Sequence, residues 1–371
     1  MNKFLSVIIG FVLFSFAAKA QDTGNSIEIS GTSGIKIFTP DKNYLSGPLL
    51  GGELAYHFNM ADNKSDYIRI LNIKSIDAVF SYRNMSRVIL NHDQATKGII
   101  GNTYAVLGRL EIGLLKINRT ELLFTPGFGF LYATETHVTN SQNVIIGSHI
   151  NLATQAGLKI FTPITHTTGI QAGVEVFHYS NGATKLPNNG INAFAYTLGL
   201  VQKINQSGPV NDNEQQTENK HFFEIGANVG SRGAISNNKG LYKAGFYMGY
   251  NYKFSPVLSI KLGTDAVYYN TIYDKKTNTE QSFLNTFQSH ATSYDRWRVG
   301  IALGPDLWLG KLGLMTGYGY YLHYNSYYPT KTYWTAGFKY FITPYLALQA
   351  KGYVHGTEAD YVGYGLLFRI H

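Results

Sequence analysis

Beyond residue 20 the chain is a succession of short runs in which apolar side chains alternate with polar or small ones. A period of two is the repeat of a β-strand whose two faces meet different surroundings. Sixteen such runs are predicted, and eight fall in the first half: 26–38, 48–60, 69–84, 101–117, 120–134, 149–162, 167–180 and 192–204. The other eight are 221–233, 241–254, 256–271, 295–309, 311–324, 331–342, 344–355 and 360–370. Nothing after residue 20 is apolar enough for a membrane helix. A chain that crosses a bilayer on strands must close them into a barrel, because unpaired sheet edges are not tolerated in lipid.

The connections alternate in length. Long ones (39–47, 85–100, 135–148, 181–191, 272–294) follow odd strands, and most of those after even strands are short, such as 118–119, 163–166 and the turns at 255 and 343. Outer-membrane barrels have long external loops and short periplasmic turns, so odd strands are expected to run outward and even strands to return.

The two halves also echo each other. TPGFGFLY (125–132) returns as TGYGYYLHY (316–324), and AGLKIF (156–161) as AGFKYF (336–341), the first pair on the fifth and the second on the sixth strand of each half. The expectation is an all-β protein built as two tandem eight-stranded transmembrane antiparallel barrels, with one sixteen-stranded barrel as the alternative. Residues 21–204 and 221–371 would be the barrel units, and the polar stretch 205–220 a periplasmic linker.

Residues 1–20 read as an export signal: Lys3, an apolar stretch, then Ala18-Lys19-Ala20 as the cleavage site before Gln21. That exports the rest of the chain through a bacterial inner membrane, and with the barrel pattern the expected location is the outer membrane. Tyr 28, Phe 22 and Gly 39 among 371 residues form an aromatic and glycine excess that suits interfacial girdles. Loss of Lys3 and Lys19 takes the formal charge from +8 to about +6, with no clustered basic run, so anionic lipid headgroups fit better than nucleic acid. Cysteine is absent, which excludes disulfides and thiol chemistry, and the histidines have no metal-ligand spacing.

Candidate chemistry lies at the end of the seventh strand. Its even row reads Ile170, Ala172, Val174, Val176, His178, Ser180, and the even row of the eighth strand holds Phe194, Tyr196, Leu198 and Leu200. These apolar rows are expected to face lipid, which puts His178 and Ser180 on the lipid face level with the outer leaflet. An isolated histidine there is ordinarily a tolerated interfacial group. This one shares a face with Ser180, and Asn192 begins the returning strand on the same row, able to orient the imidazole. Backbone N–H groups of Asn181 and Gly182 follow as oxyanion donors. Glu175, by parity, faces the lumen and joins a polar network, while Glu135 and His137 read as solvated loop-edge groups.

HYSN at 178–181, PNNG at 187–190 and the spacing to position 192 resemble the lipid A 3-O-deacylase family, PagL. The resemblance is specific over about 125–204 and looser over the rest of the first half. It implies an eight-stranded outer-membrane barrel that cuts an ester-linked acyl chain from lipid A or lipopolysaccharide in the outer leaflet. It also implies Ser180 as nucleophile, His178 as base, and Asn181 and Asn188 shaping the oxyanion site and loop. Phe194 and Tyr196 would line the acyl groove, and no metal or cofactor is required. Position 192 departs, with Asn where the family has Glu.

The outer-membrane phospholipase A family is similar at HYSNG (178–182) and Asn192, but it needs calcium, and no acidic cluster here plainly makes such a site. A non-catalytic structural or adhesive barrel is the third reading. In the second half His355 is followed by GTEAD with no serine two residues on, so that unit reads as non-catalytic.

Overall fold

The computed structural model describes residues 24–38, 45–204, 219–233, 241–272, 293–326, 329–356 and 358–370. The export signal and its cleavage after Ala20, almost all of the linker and of the 272–294 loop, and His371 lie outside the described residues. The described parts of Met1–Asn181 and Asn189–Glu214 form one compact unit, and those of Gly182–Asn188 and Gln215–His371 form another.

The first unit contains β1 (Ser26–Phe38), β2 (Leu45–Ser46), β3 (Leu50–Asn59), β4 (Ile73–Asn84), β5 (Ile89–Leu90) and β6 (Asn102–Ile117). Next come β7 (Thr120–Phe124), β8 (Gly127–Ala133), β9 (Ile150–Pro163), β10 (Thr168–Ser180) and β11 (Ile191–Lys203). Antiparallel pairing runs β1–β3–β4–β6, through β7 and β8 to β9, then β10 and β11, and returns from β11 to β1. With β7 and β8 as the two parts of one strand, this is a ring of eight with no open edge. The fifth strand divides because Pro126 has no N–H to give the ladder, while its carbonyl still accepts from Leu110 N–H at 2.9 Å.

The third strand begins later than its apolar pattern suggests. Asp66–Ile70 form a short helix, α1, with an Arg69–Asp66 ion pair of 2.8 Å, and Asn72 at φ 52° makes the turn into β4. Asparagine tolerates that left-handed conformation better than most side chains.

Alternation sorts the side chains as expected. Ile170, Val174, Val176, Phe194, Tyr196, Leu198 and Leu200 are exposed on the outward rows. The inward rows carry a buried charge network. Arg109 reaches Glu28 (2.8 Å), Asp77 (2.9 Å) and Glu53 (3.1 Å), while Arg83 bridges Glu53 (3.0 Å) and Glu175 (2.8 Å). Toward the end that carries the β10–β11 connection the inward rows give way to an apolar cluster that includes Ile145, Ile146, Phe177, Tyr179, Ile191 and Ala193.

The second unit is a closed barrel of eight strands: β12 (His221–Arg232), β13 (Leu241–Ser255), β14 (Leu258–Tyr269), β15 (Trp297–Leu309), β16 (Leu312–His323), β17 (Thr332–Phe341), β18 (Leu346–His355) and β19 (Glu358–Ile370). Two eight-stranded sheets replace the sixteen-stranded alternative. The repeat read from AGLKIF and AGFKYF has a structural counterpart. Lys159 on the sixth strand of the first unit reaches Glu28 on its first strand (3.3 Å), and Lys339 on the sixth strand of the second reaches Glu224 on its first (2.5 Å). Both lysines are completely buried.

Candidate active site

The register of β9, β10, β11 and β1 places Thr154, His178, Asn192 and Phe38 side by side in one row. His178 and Asn192 are directly opposed across the β10–β11 hairpin, on outward-facing positions that are half-buried. His178 Nδ1 and Asn192 Oδ1 lie 2.9 Å apart. An amide oxygen only accepts, so Nδ1 carries the proton and Nε2 is left with a lone pair for a hydroxyl proton. Ser180 follows two residues on, on the same outward row, as the last residue of β10.

Behind this row the inward side chains at the same height are mostly apolar, with Gln155 paired to Phe177. Phe177 and Tyr179 stack at 4.7 Å, Arg83 lies over the Phe177 ring at 4.5 Å, and Ile191 and Ala193 are buried. The polar row opens away from the lumen, toward the surface that carries Phe194 and Tyr196.

Two neighbouring segments fix its edges. Asn181 donates from Nδ2 to Ser148 Oγ at 3.0 Å, and Ser148 Oγ donates in turn to the Ile150 carbonyl at 2.8 Å. Gly190 N–H donates to the Ile145 carbonyl at 3.1 Å. Gly190 also sits at φ 71°, and a Cβ there would come within 3.1 Å of both His178 Cε1 and the Tyr179 carbonyl. Only glycine lets the loop pass so close to the imidazole.

Of the sequence-predicted residues, the first unit thus brings together His178, Asn192, Ser180 and Asn181, with Phe194 and Tyr196 on the adjoining outward rows. Gly182, at φ 62°, and Asn188 fall in the stretch that groups with the second unit, and the cluster above is built without them. Ser148 and Gly190 were missed by the sequence reading. Ser148 belongs to a different loop, and only PNNG hinted that Gly190 is a constrained turn.

The lumen also gathers acids that no sequence spacing announced. Ligand atoms of Glu28, His57 and Glu111 lie within 4.8 Å of one another. Arg109 occupies the Glu28 carboxylate at 2.8 Å and His57 Nδ1 is 2.8 Å from Asp77, so the group is part of the internal ion network.

In the second unit His355 does not repeat the arrangement. It points into the barrel, buried, with Nε2 3.1 Å from Tyr321 Oη and 3.4 Å from Arg298.

Residues 50–201 match the family described as Lipid A 3-O-deacylase (PagL), and residues 218–371 match the Acyloxyacyl hydrolase, C-terminal domain of PagL type. The chain belongs to the PagL family. No curated protein matches it. Among solved structures, Neisserial surface protein A is 8% identical, covering 50% of this chain and 99% of its own, with a TM-score of 0.35. The outer membrane protein Omp33 of Acinetobacter baumannii is 12% identical, covering 95% of this chain and 100% of its own, with a TM-score of 0.16. Strand pairing, rather than these similarities, carries the fold of this PagL-family chain.

Proposed function

We propose that the protein is an outer-membrane serine esterase that removes the 3-O-linked acyl chain of lipid A. PagL membership points to a lipid A deacylase of the outer membrane, and the observation that carries the finer reading is the 2.9 Å His178–Asn192 contact on the outward row shared with Ser180. Substrate arrives by lateral diffusion, with Phe194 and Tyr196 lining the acyl groove.

Ser180 Oγ attacks the ester carbonyl while its proton passes to His178 Nε2, and the oxyanion accepts from the Asn181 and Gly182 backbone N–H groups. Collapse expels the sugar hydroxyl, which takes the proton back from His178. Water, deprotonated by the same imidazole, then attacks the acyl-serine carbonyl, the bond to Ser180 Oγ breaks to free the acid, and Oγ takes the proton back from His178. Asn192 holds the ring in the tautomer this needs, and being neutral it supplies less imidazolium stabilisation than a carboxylate would. Asn188 shapes the loop beyond. The second barrel is read as non-catalytic.

The test is mass spectrometry of lipid A from cells expressing the wild type or Ser180→Ala. Loss of one hydroxyacyl mass with the wild type alone is expected. Unchanged lipid A with both, when the folded barrel is present in the membrane, would sink the reading.

A further inference from the structure

Strand β1 changes parity near its external end. Glu28, Ser30 and Thr32 face inward, and Ile29, Gly31 and Ser33 face outward. On uninterrupted alternation Lys36 would face the lumen and Ile37 the lipid. Instead, the pairing with β11 shifts between Gly34 and Lys36, so that Lys36 is exposed and Ile37 is buried in the apolar cluster. Gly34 permits the irregularity: its N–H donates to the Leu49 carbonyl at 2.8 Å, and a Cβ on it would lie 2.7 Å from that of Leu49. Bulges of this kind re-aim side chains beside functional sites.

The result is a lysine in an unexpected place. Lys36 pairs directly with Phe194, one row inward from Asn192 and His178. No other Lys, Arg, Asp or Glu lies on the outward rows across the outer halves of the described strands of this unit. No described residue forms an ion pair or hydrogen bond with the Lys36 side chain. A cation on a lipid-facing surface is costly unless it reaches the interface and an anionic group there. Two strand spacings and one row separate the Cα atoms of Lys36 and His178 by about 12 Å.

We infer that Lys36 is a substrate-binding residue that takes the phosphate of an anionic lipid headgroup and sets the lipid beside Ser180. The inference rests on the esterase reading for the position of the reacting ester, while the binding of phosphate stands without it.

The experiment measures binding to the refolded full chain in neutral-detergent micelles, for wild type, Lys36→Gln and Lys36→Arg, each checked for heat-modifiable barrel migration. The ligands are bisphosphorylated lipid A, its dephosphorylated form and phosphatidylglycerol. Lys36→Gln should weaken binding of bisphosphorylated lipid A about tenfold, the loss of one charge-assisted hydrogen bond. Lys36→Arg should hold it, and dephosphorylated lipid A should bind all three alike. A tenfold loss on phosphatidylglycerol alone would keep the phosphate site and assign it to glycerophospholipid. No loss for Lys36→Gln, or an equal loss with and without phosphate, would overturn the inference. Acyl release by wild type, read in parallel, reports separately on the esterase reading: its absence with phosphate-dependent binding intact would fault the chemistry and leave Lys36 as assigned.

Discussion

Replacing Asn192 tests the orientation of the base most directly. Its Oδ1 lies 2.9 Å from His178 Nδ1, a neutral hydrogen bond worth about 1 kcal/mol, while a charge-assisted one is worth about 2. Asn192→Ala removes both the bond and the tautomer preference. The bond alone accounts for roughly fivefold in rate, and the wrong tautomer costs up to about ten-thousandfold in a serine triad, so a drop of at least tenfold in kcat/KM is expected. Asn192→Glu adds a charge that favours the imidazolium by about 1 kcal/mol more. A carboxylate on an outward row near the interface costs from nothing to about 1 kcal/mol, which leaves a gain of a few-fold at most. The assay is acyl release from lipid A in neutral-detergent micelles, followed by mass spectrometry, with Ser180→Ala as the zero. Asn192→Ala within twofold of wild type would refute the orienting role. Asn192→Glu falling below Asn192→Ala would mean that position 192 does not serve the imidazole at all.

Three other substitutions probe the framework. Arg109→Met leaves Glu28, Asp77 and Glu53 without their shared cation, so urea unfolding in detergent should show a loss of about 3–5 kcal/mol; a loss below 1 kcal/mol would contradict the network. Gly190→Ala forces a Cβ into a left-handed position against His178 at about 1–2 kcal/mol, and deacylation should fall more than tenfold while the barrel still folds, as its gel migration would report. Leu198→Arg, at an exposed outward position in the middle of β11, should destabilise the barrel in liposomes by about 2–4 kcal/mol. Unchanged unfolding there would argue that this row does not face lipid.

Much of this molecule was legible in the chain because a strand with two different surroundings writes that difference into alternate residues. The parity that put Glu175 inside and His178 outside follows from that repeat, and so does the strand count. The TPGFGFLY and AGLKIF echoes revealed the duplication, since equivalent strands bury equivalent lysines, Lys159 and Lys339. The HYSN…N spacing put His178 opposite Asn192 because a hairpin of known register pairs fixed positions. Where local chemistry overrode the alternation, the sequence misled: α1 displaced the start of the third strand, and Pro126 broke the fifth.

Tertiary structure decided what depends on several strands at once. No spacing could assemble Glu28, Glu53, Asp77 and Arg109, because each comes from a different strand and only the curl of the paired sheet brings Arg109 back to Glu28. Ser148 could not be tied to Asn181 from sequence, since the two lie on separate loops that meet only across the folded sheet. Lys36 is the sharpest case. By alternation it belongs to the lumen, and one irregular step beside Gly34 turns it to the membrane. A period of two fixes a face only as long as nothing interrupts the count, and whether it is interrupted is settled by the neighbouring strand.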